Sequence, residues 1–122
     1  MNFKKVAKIA SVVLALLSFQ AAFAWDGSVV GTVLQFDVVT AVGDAPHNYA
    51  FRVYLTGRPA MCTGNVNGDN SWAYINSDEA NYNTLVAAIM MARSTDTRVR
   101  IYSKIDSGGY CHLGYVMVNP PY

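Results

Sequence analysis

The stretch WAYINSDEANYNTLVAAIMMARSTDTRVRIYS, residues 72–103, determines the fold of this chain. After a short apolar run it passes through Asn76-Ser77-Asp78-Glu79, which predicts a helix start. Short polar side chains accept hydrogen bonds from the free backbone N–H groups there, and acids favour the positive end of the helix dipole. Apolar residues then recur at helical spacing and predict one buried face, formed by Tyr82, Leu85, Val86, Ile89 and Met90. One helix, ending near Arg93-Ser94, is therefore predicted between two strands.

Period-two alternation predicts strands on both sides of this helix. Upstream, a long first strand runs from Val30 to Val38, a second covers residues 49–56, and residues 72–75 form a short third. Downstream, Val99, Ile101 and Ser103 share one face of a fourth strand. A fifth follows the turn at residues 106–109 and is lined by Cys111, Leu113, Tyr115 and Met117. This order predicts a mainly β fold with one helix, a five-stranded OB-fold barrel (β-β-β-α-β-β).

The N-terminus carries the pattern of a secretory signal peptide. Lys4, Lys5 and Lys8 precede an apolar run at residues 9–19, and Ala22-Phe23-Ala24 follows. A membrane-spanning helix needs about 20 apolar residues, so the run is short for one. We expect residues 1–24 to be removed by cleavage after Ala24, leaving a single domain, residues 25–122, that is secreted or periplasmic. An uncleaved N-terminal anchor is the alternative.

Composition limits the function of this expected mature chain. Cys62 and Cys111 are the only cysteines, and an oxidising compartment favours a disulfide between them. Two free thiols or half of a metal site are the alternatives. Six basic and eight acidic side chains would remain, a net charge of −2. That balance gives no electrostatic case for binding nucleic acid or an anionic membrane, and we expect no membrane insertion.

No catalytic motif is recognisable in the sequence. The two histidines, His47 and His112, lack the context of a nucleophile–base pair, and Asp78-Glu79 are explained by the helix start. No phosphate-binding loop or metal-ligand cluster is present. We therefore expect a binding or structural protein without a cofactor, and not an enzyme.

Aromatic and small residues indicate what such a protein binds. Aromatic rings suit sugar rings and protein interfaces, with core packing as the alternative for each of Trp25, Tyr54, Trp72, Tyr74, Tyr102 and Tyr110. The second face of the helix carries few charges. Its small or adaptable side chains predict contact with another subunit through Ala87, Met91 and Ala92.

Trp72 and the segment from Asn83 to Tyr102 resemble the B subunits of bacterial AB5 toxins, in particular the subtilase cytotoxin and typhoid toxin branch. The chain also shares the Asp26-Gly27 opening, the Gln35-Phe36 pair and Cys62 shortly before Trp72. The resemblance implies an OB-fold and a homopentameric ring whose helices line a central pore. It also implies sites for sialylated or other cell-surface glycans, and an A subunit as a further partner.

The family's sugar site implies three ligand-binding residues in this chain. Ser28 stands near the start of the first strand, Arg58 follows the second, and Ser103 occupies the position of a family tyrosine after Tyr102. The sequence thus predicts a non-enzymatic, lectin-like homo-oligomer. The alternative is a monomeric periplasmic OB-fold protein that binds a small ligand or a protein and has no toxin role. A third hypothesis is that the protein is an enzyme or an enzyme inhibitor.

Overall fold

The computed structural model describes residues 24–39 and 49–122 of the 122-residue chain. Residues 1–23 of the predicted signal peptide and His47 lie outside the described residues. In the described part, six strands and one helix follow one another. They are β1 (Gly27–Gly31), β2 (Val33–Val38), β3 (Phe51–Leu55), β4 (Trp72–Ile75), α1 (Tyr82–Ser94), β5 (Val99–Ile105) and β6 (Cys111–Val118).

The strands form one open six-stranded sheet in the order β1-β5-β6-β4-β3-β2. Neighbouring strands are antiparallel except for β4 and β6, which are parallel. The prediction of a mainly β fold with one helix between two strands is confirmed. The long first strand divides at Thr32, because β1 pairs with β5 whereas β2 pairs with β3. The described sheet therefore has six strands and is not closed, where the sequence predicted a five-stranded barrel.

The helix packs against β2 and β6 and contributes to the hydrophobic core. Ile89 and Ala92 are fully buried, whereas Met90 and Met91 are 47% and 53% exposed. Three expectations for this helix were therefore wrong: the subunit contact of Ala92, the place of Met90 on the buried face, and a start at Asn76-Ser77-Asp78-Glu79. The helix begins at Tyr82, and Glu79 lies before it. Ala92 faces the core because it follows Ile89 by three residues, which places both on one side of a helix, and Met90 lies outside that side. Ala87 and Met91 are exposed, and the subunit contact expected through them stays a prediction. Among the described residues, no helix is long and apolar enough to cross a membrane.

The predicted disulfide between Cys62 and Cys111 is present. It joins the loop after β3 to the first residue of β6, and the Cα atoms of the two cysteines are 5.6 Å apart. Both side chains are buried within the core, beside Met61. The bond therefore closes a long loop, with a sequence separation of 49, inside the hydrophobic core.

Candidate functional site

The outer face of the sheet is rich in aromatic and basic side chains. Successive residues of a strand point to opposite faces, so the residues between the core positions project outward. On β5, Val99, Ile101 and Ser103 are buried, whereas Arg100, Tyr102 and Lys104 are more accessible. Two groups of aromatic and basic residues stand out among the outward side chains. We call them the Trp72 cluster (Tyr49, Arg52, Trp72, Tyr74 and Tyr110) and the Trp25 surface (Trp25, Ser28, Arg100, Tyr102, Lys104 and Tyr115).

The rings of the Trp72 cluster pack mainly on one another. Trp72 stacks on Tyr110 at a centroid distance of 5.6 Å, and the Arg52 guanidinium lies 5.0 Å from the Trp72 ring. Tyr49 approaches Tyr74 edge-on at 4.5 Å. Tyr74 is fully buried although it points away from the core. Tyr49, Trp72 and Tyr110 stay only partly exposed, so this cluster serves mainly as a second, external packing layer.

Asp106 anchors this layer to the turn between β5 and β6. Its carboxylate accepts hydrogen bonds from the Tyr74 hydroxyl and from the backbone N–H groups of Gly108 and Tyr110, the last two at 2.8 and 2.9 Å. Burial and the neighbouring Asp106 carboxylate raise the pKa of Tyr74 above its ordinary value. Tyr74 therefore stays neutral and donates to Asp106 over the physiological pH range.

The rings of the Trp25 surface remain accessible. Trp25 is 41% exposed and Tyr115 is 48% exposed, with Tyr102 between them. The Tyr102 ring centroid lies 5.8 Å from that of Trp25 and 5.5 Å from that of Tyr115. The Lys104 ammonium is 5.9 Å from the Trp25 ring. The three rings and the nearby cation thus form an open aromatic surface.

Hydrogen bonds of Asp26 hold Trp25 in place. The backbone N–H of Asp26 donates to the Ser103 carbonyl at 2.9 Å, and its carboxylate accepts from the Ile105 N–H at 2.8 Å. Its carbonyl accepts from the Thr63 N–H at 3.0 Å. The backbone at Trp25, the residue before Asp26, is therefore held in place next to β5 and β6.

Gly114 provides the space that the Trp25 ring occupies. A Cβ atom on Gly114 would lie 2.2 Å from a ring carbon of Trp25. Gly114 is also the extra residue of a β-bulge, because Tyr102 pairs with Tyr115 while Ser103 pairs with Leu113. The bulge shifts the alternation along β6, so Tyr115 is exposed, although the sequence placed it on the same face as Leu113.

Tyr102 links the serine and arginine of this surface. Hydrogen bonding from Arg100, the positive charge of Arg100 and a hydrogen bond with Ser28 lower the pKa of Tyr102. Ser28 is exposed on β1, directly opposite Tyr102 on β5. A hydroxyl, a phenol and a guanidinium therefore meet beside the exposed rings.

A cleft of about 320 Å³ adjoins this surface, and we call it the helix–β6 cleft. Its lining joins the start of the helix to β6 and comprises Glu79, Ala80, Asn81, Leu85, His112, Leu113 and Gly114. Glu79 and His112 are paired at 2.6 Å across it, and the second carboxylate oxygen of Glu79 accepts from the Asn76 N–H at 2.6 Å. A polar cleft of similar volume lies at the β5–β6 turn, lined by residues 65–67 and 105–109.

The structure brings only part of the predicted sugar site together. Ser28 belongs to the Trp25 surface. Arg58 is exposed after β3, where it donates to the Gln35 side chain at 2.9 Å and lies 4.7 Å from the Tyr54 ring. Ser103 is fully buried, and its hydroxyl has no hydrogen-bond partner among the described residues. Its alternation with Val99 and Ile101 turns it toward the core, so it is not available to a ligand.

Sequence reasoning noted Trp25 and Tyr102 as aromatic residues but did not join them to a site. Lys104, Tyr115 and the residues of the helix–β6 cleft were missed. Gly114 was the available indication, because a glycine inside a strand often marks a bulge or the close approach of another group.

Comparison of the chain with protein-family models, characterised proteins and solved structures finds no match. Among the described residues, no group of three or more His, Cys, Asp or Glu side chains is placed to hold a metal ion. Function is therefore inferred from the residues of the site.

Proposed function

We propose that this protein is a secreted, non-enzymatic glycan-binding protein of the AB5 B-subunit type, and that its sheet is an OB-fold. The strand order supports the fold proposal. The two edge strands, β1 and β2, are consecutive in the chain and are separated only by Thr32. If β1 and β2 are counted as one bent strand, the sheet has five strands, and the two halves of the first strand form its two edges. The helix then lies between the third and the fourth strand. A partly open barrel has this connectivity.

The exposed Trp25 surface carries the functional proposal. Aromatic faces pack against the apolar faces of sugar rings, and their polar tips bind hydroxyl groups. Ser28 and Tyr102 supply hydroxyls beside these rings. Lys104 and Arg100 supply positive charge, which suits a carboxylate such as that of sialic acid. An acidic, sialylated cell-surface glycan is therefore the ligand class that this surface fits best.

Export is part of this proposal. Cleavage after Ala24 would make Trp25, which belongs to the proposed site, the first residue of the mature chain. The disulfide between Cys62 and Cys111 supports this view, because such bonds persist in oxidising compartments.

Assembly into a homo-oligomer, a ring of five copies by analogy with the B subunits, completes the proposal. Ala87, Met90 and Met91 are exposed, and Arg93 is the one charged residue of the helix. Contact between copies would cover these side chains, and identical sites on one ring would raise a weak affinity through multivalency. Light scattering of the wild type and of Ala87→Glu tests this part. We expect the variant to lose the oligomer and keep its fold, whereas a monomeric wild type at micromolar concentration would favour the monomeric alternative.

A glycan array with sialylated and neutral sugars tests the binding function. The wild-type oligomer is compared with Trp25→Ala and with Arg58→Ala, which removes a cation that lies over a different aromatic ring. We expect binding to sialylated glycans, loss of binding in Trp25→Ala and little change in Arg58→Ala. Loss in Arg58→Ala alone would move the site to the end of β3. A wild type that binds no sugar would refute the function.

A further inference from the structure

We propose that the helix–β6 cleft is a second sugar subsite, which takes a neutral sugar unit linked to an acidic unit on the Trp25 surface. This inference rests on the proposed glycan binding and specifies the class of glycan. The ligand would be an oligosaccharide of at least two units, with the acidic unit on the aromatic rings.

Position and size support a continuous binding site. Gly114 lies beneath the Trp25 ring and also lines the cleft, so a ligand on Trp25 reaches the cleft directly. The cleft volume of about 320 Å³ is at the lower end of the range for small-molecule pockets, about 300–1,000 Å³. That volume suits one sugar ring and not a longer chain.

The polar lining is suited to hydroxyl groups. Each oxygen of Glu79 already accepts one hydrogen bond, from His112 or from Asn76, and these contacts fix the carboxylate in position. A carboxylate oxygen can accept a further bond, so adjacent sugar hydroxyls can donate to Glu79. The Asn81 side chain makes no capping bond to the helix and can donate and accept at the cleft wall. Leu85 supplies an apolar patch for the ring face.

Charge assigns the order of the two units. The cleft carries the Glu79 carboxylate, which repels an acidic sugar, whereas Lys104 and Arg100 lie on the Trp25 surface. An acidic unit is therefore favoured on the Trp25 surface and a neutral unit in the cleft. The reverse orientation would place a sugar carboxylate close to Glu79, and the one basic residue of the lining, His112, already pairs with that carboxylate.

Titration of the full-length mature protein with three probes tests this subsite. The probes are the methyl glycoside of N-acetylneuraminic acid, α2,3-sialyllactose and lactose, followed by 1H–15N NMR. We expect sialyllactose to bind about tenfold more tightly than the monosaccharide, since about 1.4 kcal/mol of added contacts gives that ratio. Shifts at Asn81 and Leu85 should appear with sialyllactose and not with the monosaccharide.

Two variants separate the cleft from the aromatic surface. Asn81→Ala should reduce sialyllactose affinity by about 2- to 10-fold, the effect of one neutral hydrogen bond, and Glu79→Gln by about tenfold. Monosaccharide affinity should stay within twofold in both. Asn83→Ala is the matched control, because Asn83 is exposed on the same helix but does not line the cleft.

Each outcome is decisive. Equal binding of sialyllactose by wild type and Asn81→Ala, with no shifts in the cleft, would overturn the subsite and leave glycan binding intact. Failure of the wild type to bind any of the three probes would overturn both proposals. Equal affinity for the monosaccharide and sialyllactose would limit the site to the Trp25 surface and refute the second subsite.

Discussion

Replacing Gly114 by alanine should displace the Trp25 ring without unfolding the protein. The added Cβ would lie 2.2 Å from a ring carbon, whereas ordinary contact begins at 3.4 Å, so the ring must move by at least 1.2 Å. The obstructing atoms are the far end of a flexible side chain, and the backbone need not shift. If the ring left the sheet altogether, roughly 100 Å² of apolar surface would return to water, a loss of about 2.5 kcal/mol. A partial displacement should cost about 1–2 kcal/mol.

The assay measures ring position and ligand affinity together. The indole N–H signals of Trp25 and Trp72 report each ring in a 1H–15N NMR spectrum, and only the Trp25 signal should shift. Gly31→Ala is the matched control, because its Cβ would lie 3.5 Å from Leu55 in ordinary contact. Sialylated-glycan binding should fall at least tenfold in Gly114→Ala and stay unchanged in Gly31→Ala. An unshifted Trp25 signal, or full binding with a displaced ring, would refute the reasoning.

Three further predictions concern stability. Gly27→Ala should cost about 3 kcal/mol or more in unfolding free energy, because its Cβ would lie 1.9 Å from the Met61 carbonyl oxygen; a denaturant midpoint equal to that of Gly31→Ala would contradict this. Replacing both cysteines by serine should cost about 4 kcal/mol, given the separation of 49 residues, and lower Tm by about 20 °C in circular dichroism; a shift below about 5 °C would show that the cross-link constrains the unfolded chain little. Because the pKa of Tyr74 is raised in the folded protein, its neutral hydroxyl stabilises the fold fully below a pH of about 10, the ordinary pKa of tyrosine. This stabilisation is lost as the pH rises further. Tyr74→Phe should therefore be less stable than the wild type at pH 7. Above pH 10 its unfolding free energy, measured in denaturant titrations, should fall less steeply with pH than that of the wild type. An equally steep fall would exclude Tyr74 as the cause of the pH dependence.

Local periodicity predicted the main elements because burial acts on each strand and helix separately. Alternation identified the strands, and apolar residues at helical spacing identified the helix. The polar residues Asn76-Ser77-Asp78-Glu79 did not mark its start, because α1 begins only at Tyr82 and no acid lies in its first turn. Glu79 instead accepts from the Asn76 N–H and pairs with His112 on β6, a long-range contact that a local pattern does not contain. The break at Thr32 was not predictable in this way. Alternation continues through it, and only the pairing partner changes, from β5 to β3. Pairing is a long-range property that a local pattern does not contain.

The errors at Ala92 and Ser103 have a different origin. Ala92 follows the buried Ile89 by three residues on a helix, and Ser103 follows the buried Ile101 by two residues on a strand. Each spacing places the residue on the same side as its buried neighbour, toward the core. Ala92 was placed on the interface by its small size, and Ser103 by the family position of a tyrosine. In both cases the geometry of the element, and not residue type, determined burial.

Exposure, and not composition, separates the two aromatic groups on the outer face. The Trp72 cluster and the Trp25 surface both combine rings with basic and hydroxyl groups, so their sequences predict the same chemistry. In the first, Tyr49, Tyr110 and Arg52 cover the inner rings, and Asp106 accepts from Tyr74. In the second, pairing of β1, β5 and β6 gathers residues that are far apart in the chain, and the bulge at Gly114 leaves their rings open. Packing therefore covers most of the ring surface of the first group, whereas the rings of the second group stay exposed to solvent.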